Sequence, residues 1–299
     1  MSTRRTDWSG VFTVMVTPFT EQRTLDESAL RRLVNLLIDE KSDGLVVAGS
    51  TGEWQALSDD ERTAVFRIVA EENRGRAKLI AGTSALNTAT VVKLTDSAQK
   101  LGFDGAMILP PPYVMPTQRE VVDFFRSVDA VGLPVMLYNN PVRTGVNLDV
   151  KILDLLLDFP TVVSLKDSNK DLSQVGATLR THGETLAVFT GMETYAVPIL
   201  QRGGVGVVAM APNMLGSVAV QFINAVKDGK ADQNIAQIRN TDLLYDAMYG
   251  WGLNPYVVIK AVMRLVGRPG GWPRPPLADV TQDNAKALAA LIERINPNG

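Results

Sequence analysis

The sequence predicts an α/β protein in which eight strand-and-helix units close into a (β/α)8 TIM barrel that carries a C-terminal helical appendix. Three observations predict it. From residue 10 onward, short β-type apolar runs alternate with amphipathic helical stretches. The alternation repeats eight times without an intervening linker, which is the count that closes a barrel. A chain of 299 residues with no break in composition suits one closed barrel better than two open sheets. The barrel is expected over residues 1–230, with 231–299 packed on it as the appendix.

The elements follow in order. A strand over 10–19 leads to a helix over 26–41, and a strand over 44–51 to a helix over 58–75. Strand 78–83 precedes helix 87–102, and strand 105–111 precedes helix 117–132. The second half continues with strand 134–141 and helix 147–159, strand 162–169 and helix 171–183, strand 186–193 and helix 194–203, and strand 206–213 and helix 214–230. Ser58, Asn87 and Thr117 have side chains that cap helix N-termini, while Gly102, Gly132 and Gly183 stand where helices should stop. Helical stretches over 231–251, 255–266 and 281–295 make up the appendix, the last reached through a Gly- and Pro-rich loop over 269–276.

Composition narrows the function. Hydrophobic residues at 45%, charged residues at 21% and a net charge of −2 give no clustered cations for a nucleic-acid backbone. With no cysteine there are no disulfides, thiolate nucleophiles or Cys-ligated metals, and a single histidine gives no basis for a zinc site. The N-terminus lacks an apolar signal core, and no apolar run approaches the about 18 residues of a membrane span, so a cytoplasmic protein without membrane partners is expected. Gly204-Val205-Gly206-Val207-Val208-Ala209 matches a dinucleotide fingerprint in spelling only. It lies before and within a strand, so no helix N-terminus follows to receive a phosphate.

In such a barrel the chemistry sits where the strands end at their C-terminal side. The decisive stretch is Thr161-Val162-Val163-Ser164-Leu165-Lys166, an apolar strand ending in a lysine. An ammonium there would lose hydration without an obvious partner, which favours a neutral, nucleophilic amine suited to Schiff-base chemistry. The plainer alternative is a lysine that snorkels to water. Gly49-Ser50-Thr51-Gly52 offers hydroxyls and open backbone N–H groups to a small carboxylate, although an ordinary strand-to-helix turn uses the same residues. Tyr138, ending the strand before that of Lys166, is either a proton relay or a tyrosine packed in the barrel mouth. Arg143 either grips a second carboxylate or is a solvated loop arginine.

Taken together, Gly49-Ser50-Thr51-Gly52-Glu53, Tyr138-x-x-Pro141-x-Arg143-Thr144-Gly145 and Lys166 at its apolar strand end resemble the dihydrodipicolinate synthase and N-acetylneuraminate lyase family of class I aldolases, from about residue 10 to the C-terminus. The resemblance implies a Schiff base between Lys166 and a 2-oxo acid, usually pyruvate, with Ser50 and Thr51 on its carboxylate, beside Gly49. It implies Tyr138 as the relay phenol, Arg143 on an aldehyde substrate's carboxylate, and Gly191 and Val208 lining the pocket. Tyr113 matches a second tyrosine, lent across a dimer interface to complete a relay with Thr51 and Tyr138, in a homotetramer built as a dimer of dimers. The substrates implied are a 2-oxo acid and an aldehyde, in condensation, cleavage or dehydration, and the resemblance implies no metal or organic cofactor. Lys166-Asp167-Ser168, in place of the Lys-Glu-Ala type common in synthases, tilts the reading toward a 2-keto-3-deoxy-sugar-acid enzyme. A catalytically silent 2-oxo-acid sensor on the same barrel is the rival from another class.

Overall fold

A computed structural model describes residues 5–295. Its eight parallel strands are β1 (Gly10–Val14), β2 (Gly44–Val47), β3 (Lys78–Gly82), β4 (Gly105–Ile108), β5 (Val135–Asn139), β6 (Val162–Asp167), β7 (Ala187–Thr190) and β8 (Gly206–Ala209). They pair in sequence order, and β1 closes on β8 through Gly10 opposite Gly206 and Phe12 opposite Val208. Inside the barrel Phe12 and Phe189 pack with ring centroids 4.9 Å apart, so the interior is filled and the chemistry is left to the rim.

The outer helices are α1 (Glu27–Asp39), α2 (Asp59–Asn73), α3 (Thr88–Lys100), α4 (Gln118–Asp129), α5 (Pro141–Thr144), α6 (Val150–Leu156), α7 (Leu172–His182), α8 (Ala196–Leu200), α9 (Pro212–Leu215) and α10 (Ser217–Lys227). Ser58 and Thr117 form full capping boxes with Glu61 and Glu120, and Asn87 accepts from the Thr90 N–H, as the sequence predicts.

The strands are shorter than the apolar runs that announce them, because their last residues leave the ladder to build the rim. Ala48 is left-handed (φ 51°), which ends β2 ahead of the Gly49-Ser50-Thr51 turn. Pro141 opens α5, a short helix absent from the sequence reading, since proline is preset for a first helical turn. The expected helix over 214–230 is split into α9 and α10 by Gly216 (φ 57°).

The appendix consists of α11 (Ile235–Tyr249), α12 (Pro255–Leu265) and α13 (Gln282–Ile295). Nine consecutive α12 residues, Pro255 to Met263, are buried, and Val258, Ile259, Val262 and Met263 join the same apolar cluster as the barrel. At roughly 1.5–3 kcal/mol for each such side chain, this face outweighs the partly exposed ion pairs around it, each worth at most about 1 kcal/mol. Those pairs include Arg268–Glu40 at 2.6 Å and Arg274–Glu61 at 2.8 Å. No helix among the described residues is long and apolar enough to cross a membrane.

Candidate active site

Strand register puts Tyr138 of β5 directly beside Lys166 of β6, and the next pair, Asn139 and Asp167, on the opposite face. Lys166 is 4% exposed, and its Nζ lies 4.2 Å from the centroid of the Tyr138 ring. Among the described residues its Nζ has no hydrogen bond or ion pair. Gly191, after β7, makes room for it: a Cβ there would stand 2.6 Å from Lys166 Cε, and closer still to the Ser168 hydroxyl.

Tyr138 is itself buried, and its hydroxyl accepts a 3.0 Å bond from Asn140 Nδ2. Burial pushes its phenol up, but the charge of Lys166, the Asn140 donor, the nearby Ser168 hydroxyl and Arg143 together outweigh burial, leaving it below the usual tyrosine range. Tyr256, across the pocket on α12, shows the contrast, its phenol held well above that range chiefly by burial. The two tyrosines have opposite proton affinities in one cavity.

That cavity, about 680 Å³, is lined on the barrel side by Ser50, Thr51, Tyr138, Asn140, Arg143, Lys166, Ser168, Lys170, Gly191, Met192, Thr194 and Met210. Tyr245, Asp246 and Tyr249 of α11 and Tyr256 of α12 form its outer wall. Arg143, on α5, lies with its guanidinium carbon 5.3 Å from the Tyr256 ring centroid. The size suits a small-molecule substrate with more atoms than pyruvate alone.

The expected residues are not all at the cavity surface. Ser50, Thr51, Tyr138, Arg143, Lys166 and Gly191 line it together. Val208, expected beside the lysine, is fully buried in β8, and Met210 takes the lining position at that strand's end. Gly49 is also buried behind the lining, where a Cβ would press on Val14 and Met107. Tyr113 lies outside its own chain's cavity, 87% exposed, next to exposed Val114 and Met115. Asn140, Ser168, Met210 and the α11 and α12 tyrosines were not anticipated. Tyr245 and Tyr249, four residues apart on one helical face with stacked rings at 5.6 Å, carried a readable signal.

Two buried carboxylates support the site from behind. Glu53, left-handed at φ 54°, ends the Gly49-to-Gly52 turn and is ion-paired with Lys260 of α12. Glu193, after β7, accepts the Ala211 N–H at 2.8 Å, the Met210 N–H and the Tyr245 hydroxyl, so it ties the end of β8 to α11.

This arrangement of a lysine, a tyrosine and a hydroxyl-bearing turn occurs within a chain whose residues 7–295 match the profile of the dihydrodipicolinate synthetase family. The chain belongs to that family. Within it, the chain is 43% identical over 272 residues to an uncharacterized DapA-like lyase of Rhizobium meliloti, covering 91% of each chain. It is 34% identical over 287 residues to the 4-hydroxy-tetrahydrodipicolinate synthase of Moorella thermoacetica, covering 96% of this chain and 98% of the relative. Among solved structures it resembles the dihydrodipicolinate synthase of Aquifex aeolicus, with 26% identity, a TM-score of 0.91 and coverage of 97% and 98%. It equally resembles YagE, a prophage protein of the same family from E. coli K12 in complex with pyruvate, with 26% identity, a TM-score of 0.91 and coverage of 97% and 99%. The family identifies this chain as an enzyme of the dihydrodipicolinate synthase-like lyases.

Proposed function

We propose that the chain forms a Schiff base between Lys166 and a 2-oxo acid of the pyruvate type, and uses it for aldol condensation or cleavage, or for dehydration. The observation that carries this reading is a buried lysine against the Tyr138 ring, without a hydrogen bond or ion pair among the described residues, opening into a cavity whose lining also carries the Ser50 and Thr51 hydroxyls and the Arg143 guanidinium. The neutral amine adds to the ketone carbon, and the resulting hydroxyl leaves as water with a proton delivered through Tyr138. The iminium draws electrons from the neighbouring carbon, whose proton departs to give an enamine. The enamine carbon then bonds to an aldehyde carbon, whose oxygen takes up a proton, and water hydrolyses the imine to free the lysine. In the reverse direction the same electron sink breaks that carbon–carbon bond, or expels a hydroxyl as water.

Ser50 and Thr51, on the turn shaped by Gly49, bind the 2-oxo acid's carboxylate in this reading, and Arg143 binds a carboxylate on the second substrate. Gly191 keeps the adduct's space open, and Val208 packs behind it. Tyr113 acts in the cavity of a second copy, within a dimer of dimers working in the cytoplasm. The exposed run Tyr113-Val114-Met115 supports that assembly. Asn140, Ser168 and Thr194 in the lining favour, as a second reading, a 2-keto-3-deoxy-sugar acid whose hydroxyls these groups would bind.

Borohydride with pyruvate tests the core of the proposal. It should add a stable mass to the Lys166 peptide, and labelling of another lysine with Lys166 unmodified would overturn it. A panel of 2-oxo acids and aldehydes then identifies the second substrate.

A further inference from the structure

Asn140 occupies the N-cap of α5, where an asparagine side chain ordinarily accepts an N–H of the first helical turn. Here it makes no cap bond. Its Nδ2 instead reaches back two residues and donates to the Tyr138 hydroxyl at 3.0 Å, inside the cavity. The backbone fixes it there, because the Asn140 carbonyl accepts the Arg143 and Thr144 N–H groups at 3.0 and 3.1 Å and Pro141 follows it. The other titratable or polar groups around Tyr138 are Lys166 and Ser168 from β6 and its loop, Arg143 from α5, Tyr249 from α11 and Tyr256 from α12. In the proposed reaction Lys166 loses its free amine to the imine and Arg143 is taken up by substrate. Asn140 is a neutral donor that stays in place throughout.

We propose that Asn140 is a positioning residue for Tyr138, exchanging its helix-capping role for a bond that fixes the phenol and favours its deprotonated form, so that it trades protons with the Lys166 adduct. This rests on the Schiff-base reading above. A donor to the phenol oxygen stabilises phenolate over phenol, so removing it should make the proton harder to lose.

The test is a titration of ring-labelled tyrosine followed by NMR, with the Tyr138 signal assigned by its disappearance in Tyr138→Phe. Asn140→Val should move the Tyr138 titration upward by about one pH unit, the scale of one lost hydrogen bond. Asn140→Asp, of the same shape but without the donor and with added negative charge, should move it at least as far and guards against a packing defect in the valine variant. With a turned-over substrate, the limb of the kcat profile that follows Tyr138 should shift in the same direction, with KM for pyruvate changed less than about twofold; a purely structural role would leave the limb in place. A titration that stays, or moves down, in either variant overturns the proposal. Borohydride trapping in parallel separates the two ideas: no adduct in the unaltered protein removes the Schiff-base reading, whereas an adduct with an unmoved titration removes the role of Asn140 alone.

Discussion

The protein buries two lysines at the rim of its barrel, and they live in opposite surroundings. Lys260, on α12, is fully buried, with its Nζ ion-paired to Glu53 and donating to the Thr17 and Trp272 carbonyls at 2.8 and 2.9 Å, over the Phe19 ring. Burial still pulls it down to about 8, with Glu53 offsetting part of the effect. Lys166 has the Tyr138 ring and an open cavity instead. Burial alone therefore does not mark a nucleophile. A lysine whose donors are matched on several sides is a strut, and one left without matched acceptors, facing a space the size of a substrate, is free to react.

Exchanging the two sites' partners sharpens the contrast. The largest effect expected is complete loss of borohydride trapping in Lys166→Ala, with a melting temperature no lower than that of the unaltered protein, because no ion pair is broken there. Any trapping that persists would move the nucleophile elsewhere. Next, Tyr138→Phe should still form the imine while steady-state turnover drops by roughly 10²–10⁴, the scale of losing an acid–base group; near-normal turnover would make Tyr138 a packing residue. Lys260→Met should do the reverse of Lys166→Ala: denaturant unfolding should show a loss of about 3–5 kcal/mol from leaving Glu53 unpaired, while the folded protein still traps pyruvate. Restoring most of that loss with the added Glu53→Gln change would confirm the strut.

The smallest effect concerns the carboxyl behind Lys166. Asp167, on the far face of β6, accepts from Asn139 and Asn169 through one oxygen and has no partner on the other. Burial raises it to about 6 from an ordinary 3.8, the two donors recovering only part. Between about pH 4 and 6 the folded chain thus holds a proton that the unfolded chain has released, so this group's stabilising contribution is present at low pH and is lost as pH rises through that window. Asp167→Asn should flatten that slope in chemical unfolding and stabilise the protein by about 1–3 kcal/mol at neutral pH. An unchanged slope would mean the carboxyl is not the group titrating.

Much of this was legible because it is local. Strand and helix periods, the capping residues Ser58 and Thr117, and a lysine closing an apolar strand are all signals within a few residues. Lys260 sits in an equally apolar stretch, Tyr256-Val257-Val258-Ile259-Lys260, but nothing within that stretch announces that it is buried and paired, since its partner, Glu53, comes from the other half of the chain. Asn140 falls within the expected strand over 134–141, and only the folded chain shows that it precedes a short helix and turns its side chain back to Tyr138. Tyr245, Tyr249 and Tyr256 belong to helical stretches that the sequence predicts, but which end of the barrel they cover is a property of docking. Val208 is buried one step of the strand's alternation before Met210, which reaches the cavity lining.

The outer wall of the cavity comes from α11 and α12, and the Gly49-to-Glu53 turn is held by Lys260 and by the Arg274 N–H at 3.0 Å. During synthesis the chain therefore delivers Lys166 and Tyr138 long before the parts that enclose them. A ribosome-bound chain with the eight strands already emerged would have Lys166 facing bulk water, beside a turn not yet braced. The chemistry proposed for Lys166 therefore waits on residues 245–274, which supply both the tyrosine wall and the brace on the turn.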